Sequence, residues 1–238
     1  MKARIFVGGI FALVSITNPA IAQDADSWTG EGTLTAGFTS GNTETTDIGI
    51  GLNGARQLGV WRIKAQVTVD YGDNNGVESR NRWALAGQLD RDLTDRFYVY
   101  GRGTYEVDKF SGFDSRSFSG GGVGYKILIG EMTTWSLESG PGYRRDVIQL
   151  TGISEGNIGV RIGSAFAHPF NDAVSFSNDT EWVYSDVSIQ LINISAITAK
   201  LTDVLAARVS FEVRNESNPL PGRQSIDTAT HLSLVFGF

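Results

Sequence analysis

Cysteine is absent from the 238 residues. No disulfide staples the chain, and no thiolate is available as a nucleophile or metal ligand. Histidine is almost as scarce, with two residues, His168 and His231, so few side chains can exchange protons near neutral pH. A basic excess is missing too: 20 Lys and Arg stand against 26 Asp and Glu, a formal charge of -6. That balance argues against a nucleic-acid binder, which needs a basic face. Long apolar runs are lacking after the N-terminus. The stretch from Ile5 to Ile16 is shorter than the roughly 18 residues a membrane-crossing helix requires, and no helical periodicity follows it. If this chain crosses a bilayer, it does so with strands.

The N-terminus carries an export pattern. Lys2 and Arg4 precede the apolar stretch, and Ala20-Ile21-Ala22 offers a small-x-small cleavage site before Gln23, so residues 1–22 read as a signal peptide cleaved after Ala22. The mature chain, 23–238, is then more acidic still and reads as one domain, since no linker or composition shift divides it.

Alternation of apolar and polar residues, punctuated by Gly, Asn, Asp and Pro, marks twelve strands: 28–39, 44–56, 60–71, 78–90, 96–108, 115–128, 133–145, 156–168, 173–185, 188–200, 204–215 and 227–238. Alternate strands carry an aromatic residue near each end: Trp28 and Phe38, Trp61 and Tyr71, Phe97 and Tyr105, Trp135 and Tyr143, Phe176 and Tyr184. Each pair is an even number of residues apart, so both rings point the same way. A tilted strand of that length climbs on the order of 20 to 25 Å, close to the apolar band of a transmembrane barrel, and amphipathic rings favour its two water boundaries. Asp92-Leu93-Thr94-Asp95, Phe170-Asn171-Asp172 and Leu201-Thr202-Asp203 look alike and fall on one side with both termini. They suit short turns capped by Asn, Asp or Thr side chains. The ninth and tenth strands fit least well, because Asn178 and Thr180 share a face with Phe176, Trp182 and Tyr184. Ten strands is the alternative count.

The third strand sets Trp61, Ile63, Ala65, Val67, Val69 and Tyr71 opposite Arg62, Lys64, Gln66, Thr68 and Asp70. In a soluble sandwich the first set would be the core; in a membrane barrel it faces lipid and the charged set faces the lumen. The lumen charges expected on this basis are Arg62, Lys64, Arg80, Arg82, Arg102, Glu106, Glu138, Arg144, Arg161, Glu181, Arg208, Glu212 and Arg214. Both signs interleave, which suits either a mesh of ion pairs filling the barrel or a narrow pore whose Arg groups select solutes.

Other motifs carry little. Gly49-Ile50-Gly51-Leu52-Asn53-Gly54 matches G-x-G-x-x-G but no helix follows, so it reads as a strand with room for inward bulk. Asp70, Asp73 and Glu78 flank an Asn-Asn-Gly turn without EF-hand spacing, and a plain hairpin explains them better than calcium. Asn178-Asp179-Thr180, Asn193-Ile194-Ser195 and Asn215-Glu216-Ser217 match glycosylation tripeptides that are common by chance. His231 and Ser233 share a strand face, but neither a third member nor a nucleophile elbow accompanies them.

Three segments carry a family likeness: Ser40-Gly41-Asn42-Thr43-Glu44-Thr45; Asp95-Arg96-Phe97-Tyr98-Val99-Tyr100-Gly101-Arg102 with Tyr105-Glu106 and Asp108-Lys109-Phe110-Ser111-Gly112; and Glu138-Ser139-Gly140-Pro141-Gly142-Tyr143-Arg144. Together they resemble the YdiY-like family of salt-induced outer-membrane proteins over residues 28–145. That resemblance implies an outer-membrane β-barrel of a Gram-negative cell linked to salt or osmotic stress, and it transfers no catalytic residues. The C-terminal alternation ending in Phe236 and Phe238 resembles the assembly signal of such barrels.

The expected fold is an all-β, closed antiparallel up-and-down transmembrane barrel. The expected role is structural or narrow-pore, without enzymatic activity or cofactor, with outer-membrane lipids, lipopolysaccharide and the barrel-assembly machinery as partners. A soluble periplasmic barrel binding an apolar ligand inside is the runner-up, and an outer-membrane hydrolase the third reading.

Overall fold

The computed structural model describes residues 27–40, 45–74, 76–130, 132–186, 188–219 and 224–238. The signal-peptide reading of 1–22 and the Gly41-Asn42-Thr43 loop lie outside them. Twelve strands follow one another: β1 Trp28–Ser40, β2 Thr45–Leu58, β3 Trp61–Asn74, β4 Val77–Asp92, β5 Phe97–Asp108, β6 Phe113–Ile129, β7 Thr134–Ile148, β8 Ser154–Pro169, β9 Val174–Ser185, β10 Ile189–Lys200, β11 Leu205–Glu216 and β12 Ile226–Gly237. Each pairs antiparallel with its sequence neighbours, and β12 returns to β1, so the sheet closes and has no free edge. The closure runs to the last residue: the Gly30 amide donates to the Phe238 carbonyl at 2.8 Å and the Phe238 amide to the Gly30 carbonyl at 2.9 Å. Twelve, not ten, is the strand count, and β9 and β10 pair in unbroken register from Val174↔Ala199 to Tyr184↔Ile189.

The three similar turns share one geometry, as their sequences suggest. In each, the first residue donates its amide across the hairpin at 2.8 Å: Leu93 to Phe97, Phe170 to Val174 and Leu201 to Leu205. A side chain then caps the returning strand. Thr94 Oγ1 accepts from the Phe97 amide at 2.9 Å, Asn171 Oδ1 from Val174 at 2.8 Å, and Thr202 Oγ1 from Leu205 at 3.1 Å.

The core is unlike that of a soluble protein. Apolar side chains stand exposed around the outside, with Trp61 42 % and Phe211 48 % accessible, while Asp90 inside is 0 % accessible. A surface this apolar and continuous has hydrocarbon as its natural solvent. Rings of neighbouring strands meet on it, Phe97 with Tyr125 at 4.7 Å and Trp83 with Tyr105 at 5.5 Å. Nearer the lower end, the Arg91 guanidinium covers the Trp61 ring at 5.4 Å. Register irregularities at Gly72/Asp73, Glu106/Asp108, Phe113/Ser115 and Lys126/Leu128 fall in the β3–β4, β5–β6 and β6–β7 pairs.

Candidate functional site

Strand parity delivers a charged side chain to the interior every second residue, and the barrel brings those charges together from strands far apart in sequence. The structure arranges them in three tiers between the turn end, where the chain termini lie, and the loop end.

At the turn end, Asp90 sits between Arg62 at 2.9 Å and Lys64 at 3.1 Å. Arg208 grips Glu31 with two nitrogens at 2.7 and 2.8 Å, closing β11 against β1 across β12. In the middle tier Arg161 holds Glu138 at 2.7 Å and Glu181 at 2.6 Å. Arg102 approaches Glu181 at 3.7 Å, and Glu138 also accepts from Gln88 at 2.7 Å and from the Tyr98 hydroxyl at 2.9 Å. Toward the loop end Arg82 bridges Glu106 at 2.7 Å and Asp70 at 3.0 Å, with Arg80 reaching Asp70 at 3.2 Å. Arg144 pairs with Asp146 at 2.6 Å and approaches Glu216 at 3.7 Å. Arg214 bonds Glu212, which also lies 3.5 Å from His231.

Every lumen charge named from the sequence therefore has its head group inside the wall and beside an opposite charge or a hydrogen-bonding partner. The sequence reading set Asp70 on the inward face but passed over the other acids that complete the pairs, Glu31, Asp47, Asp90, Asp146 and Glu216, and the buried Asp108 and Asp179 as well. It also passed over Arg116, buried with its guanidinium 3.8 Å over the Phe113 ring. Parity from an already assigned neighbour was the signal for each.

Several contacts cross the lumen rather than run around the wall. Gln88 on β4 and Tyr98 on β5 reach Glu138 on β7; Arg102 on β5 faces Glu181 on β9; Arg144 on β7 faces Glu216 on β11. Strands two to four places apart are joined through the middle. At that height a cavity of about 40 Å³ is lined by Lys64, Gln88, Arg102, Glu138, Arg161, Asp179 and Glu181 among others, room for a few waters. Tyr98 can lie across the wall toward Glu138 because Gly124 opposite has no side chain: a Cβ there would stand 2.1 Å from the Tyr98 ring.

Three weaker readings are settled by this geometry. Gly49 and Gly51 do make room for inward bulk, since a Cβ on either would meet Asp70 Oδ1 or Thr33 Oγ1 at 2.4 Å. Asp70, Asp73 and Glu78 do not converge. Asp70 serves the two arginines, Asp73 caps the Gly76 amide at 2.8 Å and Glu78 binds Lys109; among the described residues no cluster of metal-ligating side chains forms. His231 and Ser233 do not form a catalytic pair, because the Ser233 hydroxyl is 2.8 Å from Thr35 Oγ1 and the imidazole turns to Glu212. An apolar outer face and a lumen crossed by ion pairs favour the membrane barrel over the soluble, apolar-ligand one.

The family model described as protein of unknown function, DUF481, matches residues 32–238. The chain belongs to that family. Its relative in Escherichia coli (strain K12), the uncharacterized protein YdiY, is 25 % identical over 214 residues, 87 % of this chain and 82 % of the relative, which bears out the resemblance read from the three segments. Among solved structures this family member is similar to the NanC porin, with a TM-score of 0.59, 11 % identity and coverage of 86 % of this chain and 98 % of that one. It is also similar to the KdgM porin in complex with disordered oligogalacturonate, with a TM-score of 0.51, 10 % identity and coverage of 87 % and 99 %. At these identities the likeness is one of fold.

Proposed function

We propose that the protein is an outer-membrane barrel of the structural or narrow-pore kind, exported by a signal peptide at residues 1–22, whose interior mesh of ion pairs restricts passage to water and the smallest ions. The observation that carries this reading is the set of contacts spanning the lumen at mid-height, Arg102 to Glu181 and Gln88 and Tyr98 to Glu138, around a cavity of about 40 Å³. Transport of an acidic oligosaccharide, suggested by the ligand of the KdgM porin, is a poorer fit. A track for such a substrate needs unspent positive charge, whereas here arginines such as Arg161 and Arg82 are each committed to two carboxylates. Buried pairs are screened by salt far less than exposed ones, so the plug keeps its shape as external ionic strength rises, which supports the link to salt stress. Phe236 and Phe238, exposed at the end of the closing strand, serve as the signal to the assembly machinery, and lipopolysaccharide surrounds the loop end.

Planar-bilayer recording and liposome swelling test this directly. The expected result is silence or small ion steps and no sugar entry. Glu181→Ser together with Arg102→Ser is expected to raise conductance, because it removes the central bridge. Large steady conductance of the native protein with permeation of oligosaccharides would overturn the reading.

A further inference from the structure

The outer face of β9 and β10 carries a cluster of polar side chains where an apolar surface is expected. Asn178 and Thr180 on β9, with Asn193 and Ser195 on β10, point outward midway between Phe176 and Tyr184, where the surrounding solvent is hydrocarbon. Parity forces this orientation: Asp179 and Glu181 are buried on the lumen side, so their neighbours face out, and a slip of one residue would expose the carboxylates.

The four side chains form a closed hydrogen-bonded ring. Asn178 Nδ2 donates to Ser195 Oγ at 2.8 Å, Ser195 Oγ to Asn193 Oδ1 at 3.3 Å, Asn193 Nδ2 to Thr180 Oγ1 at 2.6 Å, and Thr180 Oγ1 to Asn178 Oδ1 at 3.1 Å. On β8 beside it, Ser164 accepts from the Trp135 indole at 3.1 Å. The ring lowers the cost of polar groups in lipid without abolishing it. Each asparagine amide spends one of its two N–H donors and one of its two lone pairs inside the ring, and acyl chains satisfy neither of the remainder.

We propose that this patch is the contact between two copies of the chain in the membrane. The unspent groups are one donor and one acceptor on each of two amides, a set that complements itself. Across a two-fold axis each copy then offers the other what hydrocarbon and water-free depth cannot. Because the barrel is closed and has no strand edge, association has to go through a face, and this face has hydrogen bonds left to make. The apolar rim formed by Phe176, Trp182, Leu191 and Ile197 supplies packing around the polar centre. This inference rests on the membrane placement proposed above.

The absence of cysteine makes the test clean. Ile197→Cys at the edge of the patch and Val67→Cys on the opposite wall are each treated with a short bis-maleimide in native outer membranes at low expression, with heat-modifiable gel mobility reporting that both barrels are folded. The expected result is a product of twice the chain mass from Ile197→Cys and not from Val67→Cys. Adding Asn178→Leu and Asn193→Leu, substitutions that suit a lipid-facing strand, is expected to lower the yield by about tenfold. Equal yields at the two positions, an adduct of another mass, or a yield unmoved by the leucines would overturn the proposal. Membrane-bound protein that stays monomeric refutes the contact alone, whereas protein released into the periplasmic supernatant without detergent refutes the membrane placement as well.

Discussion

The β3–β5 wall and the β9–β10 wall use the same period-two geometry, and the second partly inverts the chemistry of the first. In the first, Val67, Val69, Leu85 and Tyr105 are exposed outside while Asp70, Arg82, Asp90 and Arg102 are buried inside. In the second, an Asn and Ser/Thr ring stands outside between Trp182 and Ile197, while Val183, Ile192 and Ala196 are buried inside beside Asp179 and Glu181, all at no more than 5 % accessibility. The regular wall shows what a barrel in lipid requires for stability. The inverted wall shows that parity, once fixed by Asp179 and Glu181, holds even where it turns amides to lipid. A composition that resists the stability argument is where a second role is to be sought.

The comparison breaks most severely if the interior charges of the regular kind are dispensable. Arg161→Met leaves Glu138 and Glu181 without the cation that both share, at a side-chain exposure of 10 % and 2 %. The expected loss is about 3–5 kcal/mol, the usual cost of stranding a buried charge. Urea unfolding in lipid vesicles, followed by tryptophan fluorescence, measures it. The triple replacement Arg161→Met, Glu138→Gln, Glu181→Leu is expected to recover part of the loss, because no stranded carboxylate remains while Arg102 gives up its approach to Glu181 and keeps its bond to Gln88. A single replacement as mild as the triple would mean that the lumen is wet enough to solvate carboxylates by itself, and the plugged interior would no longer stand.

A smaller effect sharpens the contrast between the outer faces. Val67→Asn sets a lone amide among Leu52 and Leu85, its cross-strand neighbours, with no ring to join, and is expected to cost about 1–3 kcal/mol. Asn193→Val removes an amide from lipid and releases two hydroxyls that have other options, so its cost is expected to stay under about 1 kcal/mol. The same unfolding assay compares them at matched lipid composition. Equal costs would show that the ring is an ordinary element of wall stability and that the two sectors do not differ in kind.

Much of this architecture is legible in the sequence because strand parity and girdle aromatics are local signals. Trp61 and Tyr71, or Phe97 and Tyr105, announce a strand, its length and its outward face together, and Arg62 and Lys64 follow as inward. The outer-face polarity of Asn178 and Thr180 is equally visible, but it reads as an irregular strand until the hydrogen bonds to Asn193 and Ser195 are seen. What the sequence withholds is partner identity. Whether Arg102 meets Glu181 or Glu106 depends on the stagger of three intervening strands and on bulges such as Lys126/Leu128, which shift register without a residue pattern of their own. The fit of Tyr98 over Gly124 is hidden for the same reason, since the two become neighbours only when β5 and β6 pair as Tyr98↔Gly124.

The smallest expected effect isolates the faces from the turns. Thr94 caps the hairpin from β4 to β5 in the regular wall, and Thr202 caps the one from β10 to β11 beside the inverted wall, with the same first hydrogen bond at 2.8 Å in both turns. Each is solvent-exposed and each loses a side-chain acceptor on mutation to alanine. Thr94→Ala and Thr202→Ala are therefore expected to cost the same, about 0.5–1.5 kcal/mol apiece, the net worth of one such bond. Refolding rates into vesicles and urea midpoints report it. If Thr202→Ala costs distinctly more, the β9–β10 wall is held in place by its turn rather than by the parity of Asp179 and Glu181, and the polar ring would be a consequence of strain at the hairpin instead of a face built for contact.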